Sequence, residues 1–169
     1  IALIMGGAGV AAYSLSIAAE FLISGAWRAQ LENRRRNRML AQLKDHFIVC
    51  GYGRVGRHVA DELAAERLPF VVIETSAEKV AHIQHTGRLA LQGNAANEEV
   101  LRNAGIDRAK GLVAAVNSDA ENVFIALTAR GMRADLRIIA RANYEESEPK
   151  LIRAGADRVI LPYRTSGKR

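Results

Sequence analysis

Apolar and polar positions change rhythm twice along this chain. Ile1 to Ala19 form one uncharged run. From Ala26 to Lys44 the apolar positions thin to Leu31, Met39, Leu40 and Leu43, still at helical spacing among charges. From Asp45 onward, short Val- and Ile-rich runs alternate with amphipathic stretches. The runs predict strands over 46–51, 70–74, 88–92, 111–116, 137–142 and 158–161. The amphipathic stretches predict helices over 54–67, 76–86, 97–104, 118–132 and 145–154. Ser76, Asn97 and Ser118 stand where N-caps belong, the last in a capping box with Glu121, and Gly105 and Gly155 follow their helices as C-caps. Short strands alternating with crossover helices require a parallel sheet. The expected fold is α/β, a Rossmann-like doubly wound parallel six-stranded sheet ordered 3-2-1-4-5-6, preceded by a transmembrane and linker helix.

The first strand runs into Gly51-Tyr52-Gly53-Arg54-Val55-Gly56, after which Val55, Val59 and Leu63 begin a helix. Gly51 permits the turn, Gly53 admits a ligand to the backbone, and Gly56 lets helix and strand pack closely. The amides of Arg54 and Val55 at the helix start favour a pyrophosphate. Glu74 ends the second strand 23 residues after Gly51 (74 − 51), where a ribose-binding carboxylate is expected. Such an acid repels a 2′-phosphate. Thr75, then Gly93, Asn94 and Ala95, then Asn117 with Ser118 and Asp119, fall at the carboxyl ends of strands two, three and four, where this fold holds ligands. Gly93 would allow an adenine or its ribose to approach. The competing reading makes the glycines packing residues, Glu74 a solvated strand-end acid and Ser118 an N-cap.

The uncharged run changes the picture at the other end. Its 19 residues span about 28 Å as a helix, close to a bilayer core. Trp27 resembles an interfacial anchor, and the following cluster marks a cytoplasmic flank by the positive-inside rule. A signal peptide carries its positive charge before the apolar run, not after it; a buried soluble helix is the remaining alternative. Small residues such as Gly6, Gly7 and Gly9 suit close packing or bending. Glu20 is either solvated at the interface or lines a water-filled path. The sequence opens within the run, so the helix is expected to start upstream. The expected organisation is a pore-lining helix over 1–27, a basic helical linker over 28–44, a nucleotide-binding domain over 45–166 and a tail over 167–169.

The net charge of +6 is concentrated. Residues 28–44 hold six basic residues, including Arg34-Arg35-Arg36, against Glu32 alone. The remainder is nearly balanced, so no nucleic-acid partner is indicated. The arginine run either binds anionic lipid head groups or is a solvated linker. Cys50 is the only cysteine and lies inside the first strand, which reads as a buried small hydrophobe. His46, His58, His82 and His85 show no metal spacing. No nucleophile–base pair is evident, and no second domain stands ready to present a substrate. A nucleotide fold without these does not make a dehydrogenase.

The run Lys44 to Gly56, then Gly93-Asn94-Ala95 with Leu101 and Ala104-Gly105-Ile106, Asn117 to Asn122, and Ala154 to Tyr163 resemble the RCK N-terminal domain, the regulator of potassium conductance with a Trk-type NAD-binding fold. The preceding helix resembles the inner helix of a two-transmembrane potassium channel. The resemblance implies a non-enzymatic cytoplasmic gating domain in a membrane protein, with residues 28–169 cytoplasmic. It implies binding of NAD(H) or another adenine nucleotide. It also implies pairing with copies of itself, as a dimer within a tetrameric channel or an octameric gating ring, around a pore for potassium ions. A regulatory part of a potassium-uptake system or cation–proton exchanger is the alternative, and a membrane-anchored NAD-dependent oxidoreductase the alternative of another class. The chain departs from the pattern in having no Thr-Val-Gly-Tyr-Gly filter, Asn94 where Asp is frequent, and Arg141 and Asn143 where calcium-gated members carry carboxylates. The swapped helix and C-terminal lobe of complete members are also missing after Tyr163.

Overall fold

The alternating runs fold into one parallel sheet in the computed structural model, which describes residues 26–162. The expectations for the spanning helix, Glu20, the Gly6–Gly9 hinge, Tyr163 and the tail lie outside the described residues. Among the described residues no helix is long and apolar enough to cross a membrane. The strands are β1 (Phe47–Cys50), β2 (Phe70–Glu74), β3 (Leu89–Gln92), β4 (Gly111–Ala114), β5 (Arg137–Arg141) and β6 (Arg158–Ile160). Their order is β3-β2-β1-β4-β5-β6, as expected for the doubly wound fold. β1 is central, with Cys50 in register with Ile73 on one side and Ala114 on the other. The point where strand order reverses therefore lies at the end of β1, above the glycine turn.

The helices are α1 (Ala26–Gln42), α2 (Arg54–Ala65), α3 (Ala77–His85), α4 (Glu98–Asn103), α5 (Asp119–Met132) and α6 (Glu148–Arg153). Alternate residues of the buried strands feed opposite faces, as a sheet covered on both sides requires. Ile48, Cys50, Val71, Ile73, Leu112 and Ile138 pack with Leu101, Ile125, Ala129 and Leu151. Val49, Val72 and Ala90 pack with Ala60, Val80 and Ile83. Cys50 is completely buried, and burial pushes its thiol far up, so it behaves as a hydrophobe.

The expected caps form, with the side-chain half of the Ser118 box alone in place. Ser76, Asn97 and Ser118 accept the backbone N–H of Lys79, Glu99 and Glu121, and Gly105 and Gly155 take positive φ. The helix expected over 145–154 divides into a 3₁₀ turn, Glu145–Ser147, and α6, with Pro149 in its first turn. A further 3₁₀ turn, Ile106–Arg108, has no periodic signature, because only Ile106 of its three residues is buried.

The structure divides after Met39 into two compact units. In the second unit, helix α1 stops at Gln42 rather than Lys44. Arg108 donates through Nε to the Leu43 carbonyl at 3.0 Å and through Nη2 to the Leu40 carbonyl at 3.3 Å. The Leu40 carbonyl also accepts Leu43 N–H at 3.2 Å, so Arg108 adds a second bond there and supplies one to the residue just past the last turn. Asp45 then turns the chain at φ 51° and donates its N–H to the Arg108 carbonyl at 2.9 Å. Leu40 is buried in the main core, so the helix end is bolted to the domain both by packing and by one guanidinium.

Asn122 on α5 is fully buried and ties two strand ends together. Its Oδ1 accepts Val116 N–H at 3.1 Å, and its Nδ2 donates to the carbonyls of Val116 at 3.0 Å and Arg141 at 2.9 Å. Backbone groups beyond the last ladder bond are thereby satisfied. Replacing Asn122 with Ala orphans all three and should lower unfolding stability by about 3 kcal/mol, read from the urea midpoint at unchanged m-value.

Candidate functional site

The glycine turn is built by exclusion of side chains. Gly51 stands at φ 91°, where a Cβ would lie 2.9 Å from Val116 Cγ1. Its N–H donates to the Ile73 carbonyl at 2.8 Å, so the chain leaves β1 at a defined point. Gly53 is the N-cap of α2 with extended backbone. At Gly56 a Cβ would stand 1.9 Å from the Gly51 carbonyl oxygen, so no other residue allows the helix this close. The opening amides of α2 and their dipole face the space above the turn.

Glu74 holds the other side. It is buried, not a solvated strand-end acid. One carboxylate oxygen accepts Tyr52 N–H at 2.9 Å, and the other accepts Ser76 N–H at 3.1 Å and the Thr75 hydroxyl at 3.2 Å. Lys79 Nζ lies 3.5 Å away and is half exposed, so its share is small. Burial raises this carboxyl's pKa, but the two backbone donors, Lys79 and Thr75 outweigh it and bring the net shift below the ordinary value. The charged carboxylate thus clamps the glycine turn to the end of β2.

Gly51, Gly53, Glu74, Thr75, Gly93, Asn94, Ala95 and Asn117 line one cleft of about 220 Å³. Arg54 lines an adjoining, wider cleft that shares Gly53 and Asn117. Val55 and Gly56 line neither; Gly56 supports the turn from beneath. Gly93 reaches the cleft, but its lack of a side chain has another cause. A Cβ there would stand 2.8 Å from Val100 Cγ2, so the packing of α4 demands glycine. Asn94 Oδ1 accepts Ala96 N–H at 2.8 Å, which leaves its amide as a donor. Ser118 is the N-cap of α5.

Sequence reasoning missed the apolar floor of the cleft, Ile73, Val116 and Ile125, and its rim residues Tyr52, Lys79 and Glu121. Ile125 had no local signal, because it belongs to a helix 70 residues from the turn in sequence (125 − 55). It also missed the wall of the second cleft: Arg141, Asn143 and Tyr144. Arg141 Nη1 donates to Asn117 Oδ1 at 3.0 Å, and Asn143 Nδ2 donates to Asp119 Oδ1 at 2.8 Å. Asp119 also accepts the N–H groups of Asn143 and Tyr144. Burial raises the pKa of its carboxyl, but the Ser147 hydroxyl and these donors outweigh burial and bring it below its usual range.

A six-stranded doubly wound sheet with a glycine turn and a clamped acid at its switch point defines a Rossmann-like α/β domain. The TrkA-N domain family matches residues 47–162, and the chain belongs to that family. It is 39% identical over 166 residues to probable potassium channel protein 2 of Methanocaldococcus jannaschii, covering 96% of this chain and 48% of that protein. The TrkA-N domain of inner membrane protein YbaL from Escherichia coli superposes with TM-score 0.69 at 36% identity, covering 72% of this chain and 90% of that one. GsuK bound to ADP superposes with TM-score 0.62 at 36% identity, covering 76% and 34%. The chain spans about half the length of the first curated relatives it matches.

Two outcomes follow from the geometry. Gly56→Ala should destabilise the fold by about 3 kcal/mol, seen as a lower urea midpoint. Because the folded Glu74 carboxyl titrates below its unfolded value of about 4.3, its stabilisation is complete above that value and is lost as pH falls through the lower folded value. Glu74→Gln should therefore flatten the acid side of the stability–pH profile below pH 5 and leave its alkaline side unchanged.

Proposed function

We propose that this chain is the cytoplasmic ligand-sensing and gating part of a potassium channel. It binds NAD(H) or another adenine nucleotide at the cleft lined by Gly51, Gly53, Glu74, Thr75, Gly93–Ala95 and Asn117, with Arg54 in the adjoining cleft and Val55 and Gly56 in the turn beside them. The observation that carries the reading is the meeting of the glycine turn, the N-cap Gly53 of α2 and the clamped Glu74 carboxylate in one cleft. A phosphate faces the opening amides of α2, while a ribose diol competes for the carboxylate that now holds Tyr52 N–H. The relatives support it: one is named a probable potassium channel protein, and GsuK is described bound to ADP.

The work is mechanical rather than chemical. Ligand that draws Glu74 or Asn117 shifts the strand ends at the switch point, and the Arg108 clamp carries that shift to α1. The linker transmits it toward a pore helix in the membrane. Copies of the domain pair into a ring around the pore for potassium ions, and residues 28–169 lie on the cytoplasmic side.

Saturating ADP or NADH should raise the thermal midpoint of the purified chain by roughly 5 °C. Gly53→Asp should abolish the rise, because Asp remains a good N-cap but sets a negative charge against the phosphate. A chain that shows no shift with any adenine nucleotide at millimolar concentration sinks the reading.

A further inference from the structure

Among the described residues, the second cleft contains a buried charge with no carboxylate at ion-pair distance. Arg141, at the end of β5, is only 6% exposed. A buried cation is ordinarily paired with an acid. Among the described residues, no carboxylate forms an ion pair with Arg141. Its partners are the neutral amide oxygens of Asn117 and Asn143. Its buried Nε has no hydrogen-bond partner. Asp119, an acid in this network, is engaged by Asn143, Tyr144 and Ser147. The guanidinium therefore keeps donors in reserve, and a planar guanidinium suits the oxygens of a phosphate.

Its position says which phosphate. Arg141 lines a cleft of about 630 Å³ together with Gly53, Arg54, Asn117, Asn143 and Tyr144. Asn117 Oδ1 bonds Arg141 at 3.0 Å and lies 3.3 Å from where a Cβ on Gly53 would be. The buried cation is thus one side chain away from the N-terminus of α2. It stands on the half of the sheet opposite Glu74, where the second half of a dinucleotide would extend. There a cationic oxidised nicotinamide ring would face an unbalanced arginine, whereas a doubly charged terminal phosphate would neutralise it.

We infer that Arg141, with Asn143 and the opening turn of α2, forms a subsite for the terminal phosphate of an adenosine diphosphate or triphosphate, and that this selects such mononucleotides over oxidised dinucleotides. The inference rests on the proposed adenosine cleft and names the ligand class that cleft prefers. Asn117 is the shared wall through which the phosphate subsite and the adenosine cleft communicate.

The test is isothermal titration of the purified chain in phosphate-free buffer with AMP, ADP and NAD⁺. Wild type should bind ADP on the order of tenfold more tightly than AMP or NAD⁺. Arg141→Gln should bring ADP down to the AMP level and leave AMP unchanged, while Arg141→Lys should retain part of the ADP advantage. Circular dichroism confirms that each variant is folded. ADP binding no tighter than AMP in wild type, or an ADP advantage that survives in folded Arg141→Gln, overturns the subsite and leaves the adenosine cleft standing. Failure of AMP, ADP and NAD⁺ alike to bind wild type overturns the cleft reading itself, and the subsite with it.

Discussion

The architecture depends on one close approach, the Gly56 Cα against the carbonyl of Gly51. A Cβ at that place would be 1.9 Å from the oxygen, so the contact exists only because residue 56 has none. It lets α2 begin immediately over the end of β1, and this directs the opening amides of the helix at the switch point of the sheet. The Gly51 backbone at φ 91° and the wall of Val116 leave the turn no alternative path. Strand, turn and helix are therefore one rigid unit, to which the neighbouring strand ends attach their polar groups.

The electrostatics of the two halves are opposite and unequally satisfied. On the β2 side, Glu74 is engaged by the backbone donors Tyr52 N–H and Ser76 N–H. On the β5 side, the partners of the buried Arg141 among the described residues are the neutral amides of Asn117 and Asn143. In the proposed reading, a ligand with a diol at one end and an anionic group at the other would exchange partners with the first and complete the second. The same groups hold the strand ends together. Asn117 belongs to both halves, and Asn122 behind it ties the ends of β4 and β5.

At the opposite margin, the connection to the linker is a small device. Arg108 closes the end of α1 while its own carbonyl receives Asp45 N–H. Leu40 and Leu43 add apolar contact with the main core. Packed interiors transmit displacement rather than absorb it.

Local pattern determined most of the fold. Alternation of apolar runs with amphipathic stretches, capped by Ser76, Asn97, Ser118, Gly105 and Gly155, suffices for the elements and their parallel order, because periodicity and capping are properties of neighbours in the chain. The glycine turn and Glu74 were legible for the same reason, since their spacing is short and fixed by the β-α-β unit. Only the tertiary structure decided that Glu74 is clamped by Tyr52, that Gly93 serves the packing of α4, that Arg108 closes the linker helix, and that Ile125 and Arg141 reach the clefts. Each of these depends on which distant backbone group or side chain arrives within bonding distance. The balance of a buried charge likewise appears only when every strand end has been brought to the same edge.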